Sequence, residues 1–265
     1  YRLTFTRAML LFLLAVPGAS AQADHRPKLV LQITVDALRG DLPGRFSSAL
    51  GDGGFRYLME QGIHYTNAHY RHANTETIVG HVSLATGGTP AAHGMVANVW
   101  FDRELDRLAY NIEDAEYKLL TAGADVDRKS EIDPTQKAAK VEGRSPDNIL
   151  TSTLSDEMAI HFAGQSKIFA VSVKDRGAVS MAGHAGKAFW FSKASGEFVT
   201  SNYYYDQYPE WVNAWNARKP AMAYSGKSWD LTHPAKKYLF GDADDKAYET
   251  DLAGFGRVFP HAYAT

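Results

Sequence analysis

The sequence predicts an α/β protein, an α/β/α sandwich with a mostly parallel central sheet. Two apolar runs, residues 29–35 and 168–173, lack polar alternation, which is typical of strands buried on both faces of a parallel sheet. Segments with helical spacing separate the predicted strands along the chain. Because strands that alternate with helices pack into a helix-covered sheet, this order predicts the layered architecture.

Composition limits the functional classes that fit this chain. Its 265 residues suffice for one large core or two modest domains. The formal charge of −2, from 28 basic and 30 acidic residues, argues against a protein that binds nucleic acid by bulk charge. The absence of cysteine excludes both a disulfide framework and a thiol for lipid attachment.

The first residues have the pattern of a cleavable leader. Arg2 and Arg7 precede an apolar run, residues 8–16, and small residues follow. This pattern predicts a signal peptide over residues 1–23, so the mature domain would be 24–265 and the protein periplasmic or secreted. The apolar run is too short to cross about 30 Å of hydrocarbon, so we expect no stable membrane anchor.

The first half of the mature chain is predicted as strand, helix, strand. The first strand, Leu29–Val35, closes on Asp36, which would lie where open α/β sheets bind ligands. Apolar residues in 55–59 predict a helix that stops at Gly62. A second strand is predicted over 63–69.

Residues 74–98 form the stretch around which the predicted functional residues are organised. Thr77 precedes apolar residues at helical spacing, so it is predicted as the N-cap of a helix. The first turn of a helix leaves backbone N–H groups unpaired and favours anions. The Thr77 hydroxyl is therefore either a cap or a nucleophile. Asn98 ends the loop that follows the helix.

The middle of the chain combines a patternless segment with a strong helical pattern. Residues 102–148 are polar and are predicted as a long loop or small insertion. Asp147 is then expected to cap a helix over Ile149–Phe162, whose apolar residues recur at helical spacing and predict core positions.

Two cations follow the strand predicted over 168–173. Lys174 and Arg176 flank Asp175, a placement suited either to gripping an oxyanion or to a solvated turn. A hairpin is predicted from 188–191 and 197–200, and a helix from about Glu210.

Four motifs give the sequence a resemblance to a known family. They are VDALRGD (35–41), TETIVGHVSLATGGTPAAHGMVANVWFD (75–102), SPDNILTSTLSDEM (145–158) and VSVKDRGAV (171–179). With them the chain resembles the alkaline phosphatase superfamily, and within it the secreted phosphate monoesterases of the PafA type, which have a threonine nucleophile. The domain is also similar to that of type I phosphodiesterases and nucleotide pyrophosphatases.

The resemblance implies a role for each of five residues. Asp36 and Thr77 would ligate one zinc of a two-zinc site, with the Thr77 oxygen as nucleophile. Asn98, Lys174 and Arg176 would bind the non-bridging oxygens of the transferred phosphoryl group. The substrates would be small phosphate monoesters, hydrolysed through a phosphothreonine intermediate.

The chain departs from the family pattern in its remaining metal ligands. The family's Asp followed four residues later by His, its adjacent Asp-His pair and its late His have no acceptable match here. His81 and His93 are interpreted as packed or hydrogen-bonded structural residues. We therefore expect the remaining zinc ligands beyond Thr265, a fold truncated at its C-terminus, an inactive isolated fragment and a partly uncovered sheet.

Two other functions remain open at this point. A phosphodiesterase or nucleotide pyrophosphatase of the same superfamily would share Asp36, Thr77 and Asn98, but two adjacent cations favour the extra charge of a monoester. A non-catalytic exported binding protein would have kept the fold and lost the zinc. The sequence argues against a sulfatase, because the chain has no cysteine and none of its serines stands in the pattern from which formylglycine matures.

Overall fold

The computed structural model describes residues 27–129, 131–251 and 254–263. The chain divides into two units, Tyr1–Val35 and Asp36–Thr265, and the helices and strands of the described residues lie in the second. The leader predicted over residues 1–23 lies outside the described residues.

The regular elements are short and are joined by long irregular segments. The helices are α1 (Leu42–Arg45), α2 (Phe55–Gln61), α3 (Thr77–Thr86), α4 (Pro90–His93), α5 (Pro134–Lys137), α6 (Leu154–His161), α7 (Asp175–Ala182) and α8 (Glu210–Ala217). The strands are β1 (Val99–Asp102), β2 (Arg107–Tyr110), β3 (Phe169–Ser172), β4 (Lys187–Ser192), β5 (Glu197–Val199), β6 (Ser228–Trp229) and β7 (His261–Ala262). Among the described residues, none of the helices has the length and apolar character needed to span a membrane.

A three-stranded sheet of order β3-β4-β5 forms the centre of the fold. Strands β3 and β4 run parallel with α7 between them in the chain, and β5 returns antiparallel to β4. Two antiparallel pairs, β1-β2 and β6-β7, lie outside this sheet. The strand predicted over 168–173 and the hairpin around residues 194–196 are therefore confirmed.

Helices cover both faces of this sheet. The face that carries Ala170 and Trp190 belongs to the main core together with α7. Gly177 lets α7 lie close to β3, since a Cβ there would be 2.6 Å from Ser172 Oγ. On the other face, the Trp211 ring of α8 packs against Phe169 and Phe189, at centroid distances of 6.1 and 5.2 Å. These layers confirm the predicted α/β/α class.

The core lies between α3, α7 and the sheet. Helix α3 packs against α7 and contributes Ile78, Val79 and Val82, which are fully buried. Strand β3 has a strand partner on one side only within the described residues, and its Phe169 and Val171 are 50% and 61% exposed. Strand β3 therefore exposes apolar side chains at the edge of the sheet.

Two predicted strands are absent from the described structure. Leu29–Val35 and residues 63–69 have no strand assignment, and apolar residues in both segments are largely exposed, with Ile63 at 81%. An apolar run supplies side chains suited to burial, but a strand forms only where a neighbouring strand satisfies its N–H and C=O groups. None of the ladders in the described residues includes either segment.

The helix predicted over Ile149–Phe162 begins later than expected. Helix α6 starts at Leu154, because Thr153 and Asp156 form a capping box: the Asp156 N–H donates to Thr153 Oγ1 and the Thr153 N–H donates to Asp156 Oδ2. Asp147 is therefore not the cap. Ile149 is buried in the preceding turn, as predicted for the core, whereas Leu150 is 72% exposed. The other two predicted helices, α2 ending before Gly62 and α8 starting at Glu210, are confirmed.

Candidate active site

Helix α3 begins at Thr77, and the Thr77 side chain lies close to the Asp36 carboxylate. The prediction that Thr77 caps the helix is wrong by one residue, because Glu76 has the extended N-cap backbone, with ψ of 157°, and Thr77 is the first helical residue. Freed from capping, the Thr77 hydroxyl donates towards Asp36 Oδ2 over 3.4 Å. The structure therefore brings together two of the predicted site residues that are 41 positions apart in sequence.

Asp36 lies in an exposed turn and not at a strand end as expected. The Ala37 N–H donates to Asp36 Oδ1 at 3.1 Å, and Ala37 has a φ of +57°. This turn engages one carboxylate oxygen and leaves Oδ2 for Thr77.

Asn98 is tied to the first turn of α3 by two hydrogen bonds. The Ile78 N–H donates to Asn98 Oδ1 at 3.0 Å, and the Asn98 N–H donates to Glu76 Oε2 at 2.6 Å. Asn98 is 8% exposed. The side-chain oxygen of Asn98 is occupied by the Ile78 N–H. The side-chain NH2 is therefore the part of Asn98 suited to donate to a ligand beside Thr77.

Lys174 and Arg176 meet at a carboxylate that the sequence analysis did not single out. Lys174 is the N-cap residue of α7, two residues after the end of β3, and its Nζ donates to Asp133 Oδ2. Arg176 NH2 donates to the same oxygen at 3.1 Å. The alternative of a solvated turn does not hold for Arg176, which is 4% exposed.

A buried network around Asp175 supports the start of α7. The Asp175 carboxylate accepts hydrogen bonds from the Tyr110 hydroxyl at 2.7 Å, from Gln136 Nε2 at 3.1 Å and from Arg144 Nε at 2.7 Å. Burial alone would raise the pKa of Asp175, but the charge and hydrogen bond of Arg144 hold it below its ordinary value. Burial and the Asp175 carboxylate raise the pKa of Tyr110 well above its ordinary value, so Tyr110 remains a donor.

Local packing connects the Thr77 side of the site to the cation pair. Helices α3 and α7 contact one another, and His81, one turn after Thr77, has its Nε2 3.9 Å from where a Cβ on Gly177 would lie. Strand β1 directly follows Asn98 and pairs with β2, which ends at Tyr110. The start of α3 and the start of α7 therefore belong to one packed unit.

His81 and His93, which the sequence interpretation treats as structural, both make hydrogen bonds within the protein. His81 Nδ1 is 2.8 Å from the Thr77 carbonyl oxygen, one turn back in the helix. His93 is fully buried: the Met95 N–H donates to its Nδ1 at 3.2 Å, so its Nε2–H donates to Ser83 Oγ at 3.0 Å. The Ser83 oxygen also lies 3.0 Å from His72 Nε2. Burial lowers the pKa of His93, and the charge of His72 lowers it further.

The residues that the structure describes contain no group of three or more His, Cys, Asp or Glu side chains that could hold a metal ion. Of the two residues predicted as metal ligands, Asp36 and Thr77, the structure shows only that Asp36 Oδ2 and Thr77 Oγ1 lie 3.4 Å apart.

Comparison with known proteins identifies the family. The family model for type I phosphodiesterase / nucleotide pyrophosphatase matches residues 30–255. The chain belongs to this family. The resemblance stated from the motifs is thereby confirmed, and with it the superfamily of the alkaline phosphatases.

Relatives of this phosphodiesterase-family chain include two proteins named as alkaline phosphatases. It is 34% identical over 250 residues to alkaline phosphatase PhoV of Synechococcus elongatus, covering 93% of this chain and 42% of that protein. It is 32% identical over 226 residues to alkaline phosphatase PafA of Elizabethkingia meningoseptica, covering 84% of this chain and 39% of that protein. The chain thus spans about two fifths of the length of these relatives.

A solved structure shares the fold of this family member. The crystal structure of wild-type alkaline phosphatase PafA superposes with a TM-score of 0.71 at 30% identity, covering 85% of this chain and 41% of that chain. The match agrees with the α/β/α class assigned from the layers of the sheet.

Several residues that contact Asp175, Lys174 or Arg176 were not identified from the sequence, among them Tyr110, Asp133 and Arg144. All three lie in the segment 102–148, which was interpreted as a patternless loop or insertion. For Asp133 a local signal existed, since Asp followed by Pro is typical of a helix start, and α5 does begin at Pro134. For Tyr110 and Arg144 no local signal existed, because their partners are distant in sequence.

Proposed function

We propose that the full-length gene product is an alkaline phosphatase that hydrolyses small phosphate monoesters, with Thr77 as the nucleophile. The observation that carries this proposal is the Thr77 hydroxyl at the start of α3, 3.4 Å from the Asp36 carboxylate. Asn98 Oδ1 already accepts from the Ile78 N–H of this turn, and the positive end of the helix dipole favours an anion beside the Thr77 hydroxyl. The names of the PhoV and PafA relatives support the choice of reaction.

Three side chains are proposed to bind the phosphoryl oxygens. The Asn98 amide would donate from the Thr77 side, and Lys174 and Arg176 would donate from the start of α7. Arg176 Nε is buried without an acceptor in the described structure, and an orphan donor of this kind costs about 1–3 kcal/mol. A bound oxyanion would relieve that cost and would be stabilised by charge-assisted hydrogen bonds.

Asp36 and Thr77 fit part of a zinc site. Two oxygens bound to one tetrahedral zinc at about 2.0–2.2 Å lie about 3.3–3.6 Å apart. The observed distance of 3.4 Å between Asp36 Oδ2 and Thr77 Oγ1 agrees with this spacing. A bound zinc would lower the pKa of the Thr77 hydroxyl and stabilise charge on the reacting oxygens. The proposal needs two zinc ions and further ligands from residues other than those described.

The proposed reaction has two displacements. Thr77 Oγ forms a bond to phosphorus as the bond to the ester oxygen breaks, and the alcohol leaves after taking a proton. Water then attacks the phosphothreonine, the P–Oγ bond breaks, and inorganic phosphate and the threonine hydroxyl are regenerated. During both steps Asn98, Lys174 and Arg176 would hold the equatorial oxygens.

A phosphodiesterase is the second candidate, because the matching family model carries that name. A diester has one negative charge less than a monoester, so it gains less from two cations that converge on one anion. Lys174→Ala and Arg176→Ala are therefore expected to reduce monoester turnover much more than diester turnover. Equal losses would favour the phosphodiesterase.

The test is hydrolysis of p-nitrophenyl phosphate by the full-length gene product with added zinc. Thr77→Ala is expected to lower kcat by at least about 10³-fold, as loss of a nucleophile does. Thr66→Ala, at an exposed position, is the matched control and should retain activity. Activity that persists in Thr77→Ala would overturn the nucleophile assignment, and inactivity of the unaltered protein with retained phosphate binding would favour the non-catalytic binding protein. Export is proposed from the leader pattern of residues 1–23 alone.

A further inference from the structure

Asp133 lies between the two cations that are proposed to bind phosphate. Its Oδ2 accepts hydrogen bonds from Lys174 Nζ and from Arg176 NH2, so a single oxygen sets the spacing of the ammonium and guanidinium groups. The side chain of Asp133 is 11% exposed, so solvent screens these contacts only weakly.

Asp133 is itself held in place. Its Oδ1 accepts from the Thr135 N–H at 2.9 Å and from Thr135 Oγ1–H at 2.6 Å. Burial would raise the pKa of Asp133, but the hydrogen bonds from Lys174 and Thr135 and the charge of Arg176 hold it far below its ordinary value. The carboxylate is therefore ionised throughout the range in which a phosphatase works.

Lys174 needs such a partner more than Arg176 does. Arg176 also donates from NH1 to Thr135 Oγ1 at 3.1 Å and to the Tyr110 hydroxyl at 3.4 Å. The Lys174 side chain is 34% exposed, and Asp133 is its one hydrogen-bond acceptor among the described residues. A lysine side chain carries about 2 kcal/mol of rotamer entropy, so a fixed acceptor is what orders its ammonium group.

The remaining donors of both cations can serve a ligand while Asp133 stays bound. A lysine ammonium has three N–H groups and Asp133 Oδ2 takes one, and the Nε of Arg176 has no acceptor in the described structure. Each cation therefore keeps a donor that could contact a ligand while Asp133 stays bound.

We propose that Asp133 is a positioning residue that holds Lys174 and Arg176 side by side for a doubly charged phosphoryl group, and that it thereby sets the preference for monoesters over diesters. The inference rests on the proposed function, since it needs both cations to contact substrate. Asp133 acts through the cations and does not touch the reacting atoms.

The test compares two esters in the full-length gene product with zinc. Asp133→Asn keeps the shape of the side chain and removes its charge. It is expected to lower kcat/KM for p-nitrophenyl phosphate about tenfold, within the 10–100-fold range of supporting residues, and to leave bis-p-nitrophenyl phosphate within about twofold. Asp52→Asn, whose side chain is 98% exposed in its pair with Arg56, is the matched control and should leave both esters unchanged. The ratio of the two activities does not depend on the fraction of protein that folds.

A second experiment, in a variant that lacks both cations, distinguishes a failure of this inference from a failure of the proposed function. In a Lys174→Ala/Arg176→Ala protein, Asp133→Asn should lower monoester turnover no further, because a residue that acts through its partners has no effect once they are gone. A loss that persists there, an equal loss for both esters, or a gain in monoester turnover overturns the proposal. If the cation double variant leaves the ester ratio unchanged, the cation assignment itself fails and this inference fails with it. If that ratio falls but Asp133→Asn does not change it, only the positioning role is wrong.

Discussion

The buried ion pair between Arg144 and Asp175 offers a sharp test of the packing around the cation pair. Asp175→Asn keeps the side-chain shape but removes the charge that faces Arg144 Nε at 2.7 Å, and both side chains are 2–3% exposed. Breaking a buried pair by removing one partner costs about 3–5 kcal/mol. Arg144 keeps the Asp125 carboxylate at 3.0 Å, a partner that is 24% exposed, so we place the loss at the lower end, about 3 kcal/mol.

The assay is thermal and urea unfolding of the full-length gene product at neutral pH. A loss of about 3 kcal/mol corresponds to a drop in Tm of about 6–12 °C for a domain of 150–250 residues. The urea midpoint should fall while the m-value stays constant, since the substitution changes stability and not the surface exposed on unfolding. Asp52→Asn, at an exposed position, is expected to shift stability by less than about 0.5 kcal/mol.

A second substitution distinguishes the charge effect from simple loss of packing. Arg144→Met in the Asp175→Asn background removes both members of the pair, and replacing a buried pair by apolar groups is often neutral or stabilising. The double variant should therefore be more stable than the sum of the two single effects predicts. A loss below about 1 kcal/mol for Asp175→Asn, or strict additivity in the double variant, would refute the view that this pair is a desolvated ion pair.

Two further predictions concern histidines. The hydrogen bond that His184 donates to the Asp156 carboxylate raises the pKa of His184 against the effect of burial. The stabilising contribution of His184 is therefore fully present below about pH 6.5 and is lost as the pH rises through the raised pKa. The difference in urea midpoint between the unaltered protein and His184→Asn should therefore be larger at about pH 5.5 than at about pH 9, and the reverse order would contradict this prediction. Ser83→Ala leaves the Nε2–H of the buried His93 without its acceptor, so it should lower the free energy of unfolding by about 1–3 kcal/mol in the same assay. The control Ser152→Ala, at an exposed position, should lower it by less than about 0.5 kcal/mol. Equal losses would count against the hydrogen bond.

The parts of the fold that were predicted correctly depend on local rules. Strand β3 was predicted from its apolar run, and α2 from the spacing of its apolar residues and its terminal glycine. The β4-β5 hairpin was predicted from its turn residues. The strands predicted at 29–35 and 63–69 failed because pairing is a property of two segments, and the sequence of one does not reveal whether the other is at hand. The start of α6 was misplaced because a capping box outweighed apolar spacing.

In the candidate site, too, some residues were identified from local sequence motifs and others were not. The residues that stand at element boundaries, Thr77, Asn98 and Lys174, were identified in motifs and lie where helices and strands begin. The sequence Asp133-Pro134 is a local sign of a helix start, but it does not reveal the partners of Asp133, which are 41 and 43 residues away in sequence. Buried polar networks are specified by long-range hydrogen bonds, for which a sequence has no period.

The balance of buried charge explains why the site would need a metal if it binds a phosphate dianion. Three cations, Lys174, Arg176 and Arg144, face three carboxylates, Asp133, Asp175 and Asp125, through the ion pairs described. Three positive and three negative charges sum to zero, so these ion pairs supply directed donors without net positive charge. Removing a dianion from water without compensating positive charge is costly. The proposed zinc ions would add this positive charge beside Asp36 and Thr77. That is also the side on which the transferred phosphoryl group would form its bond to the enzyme.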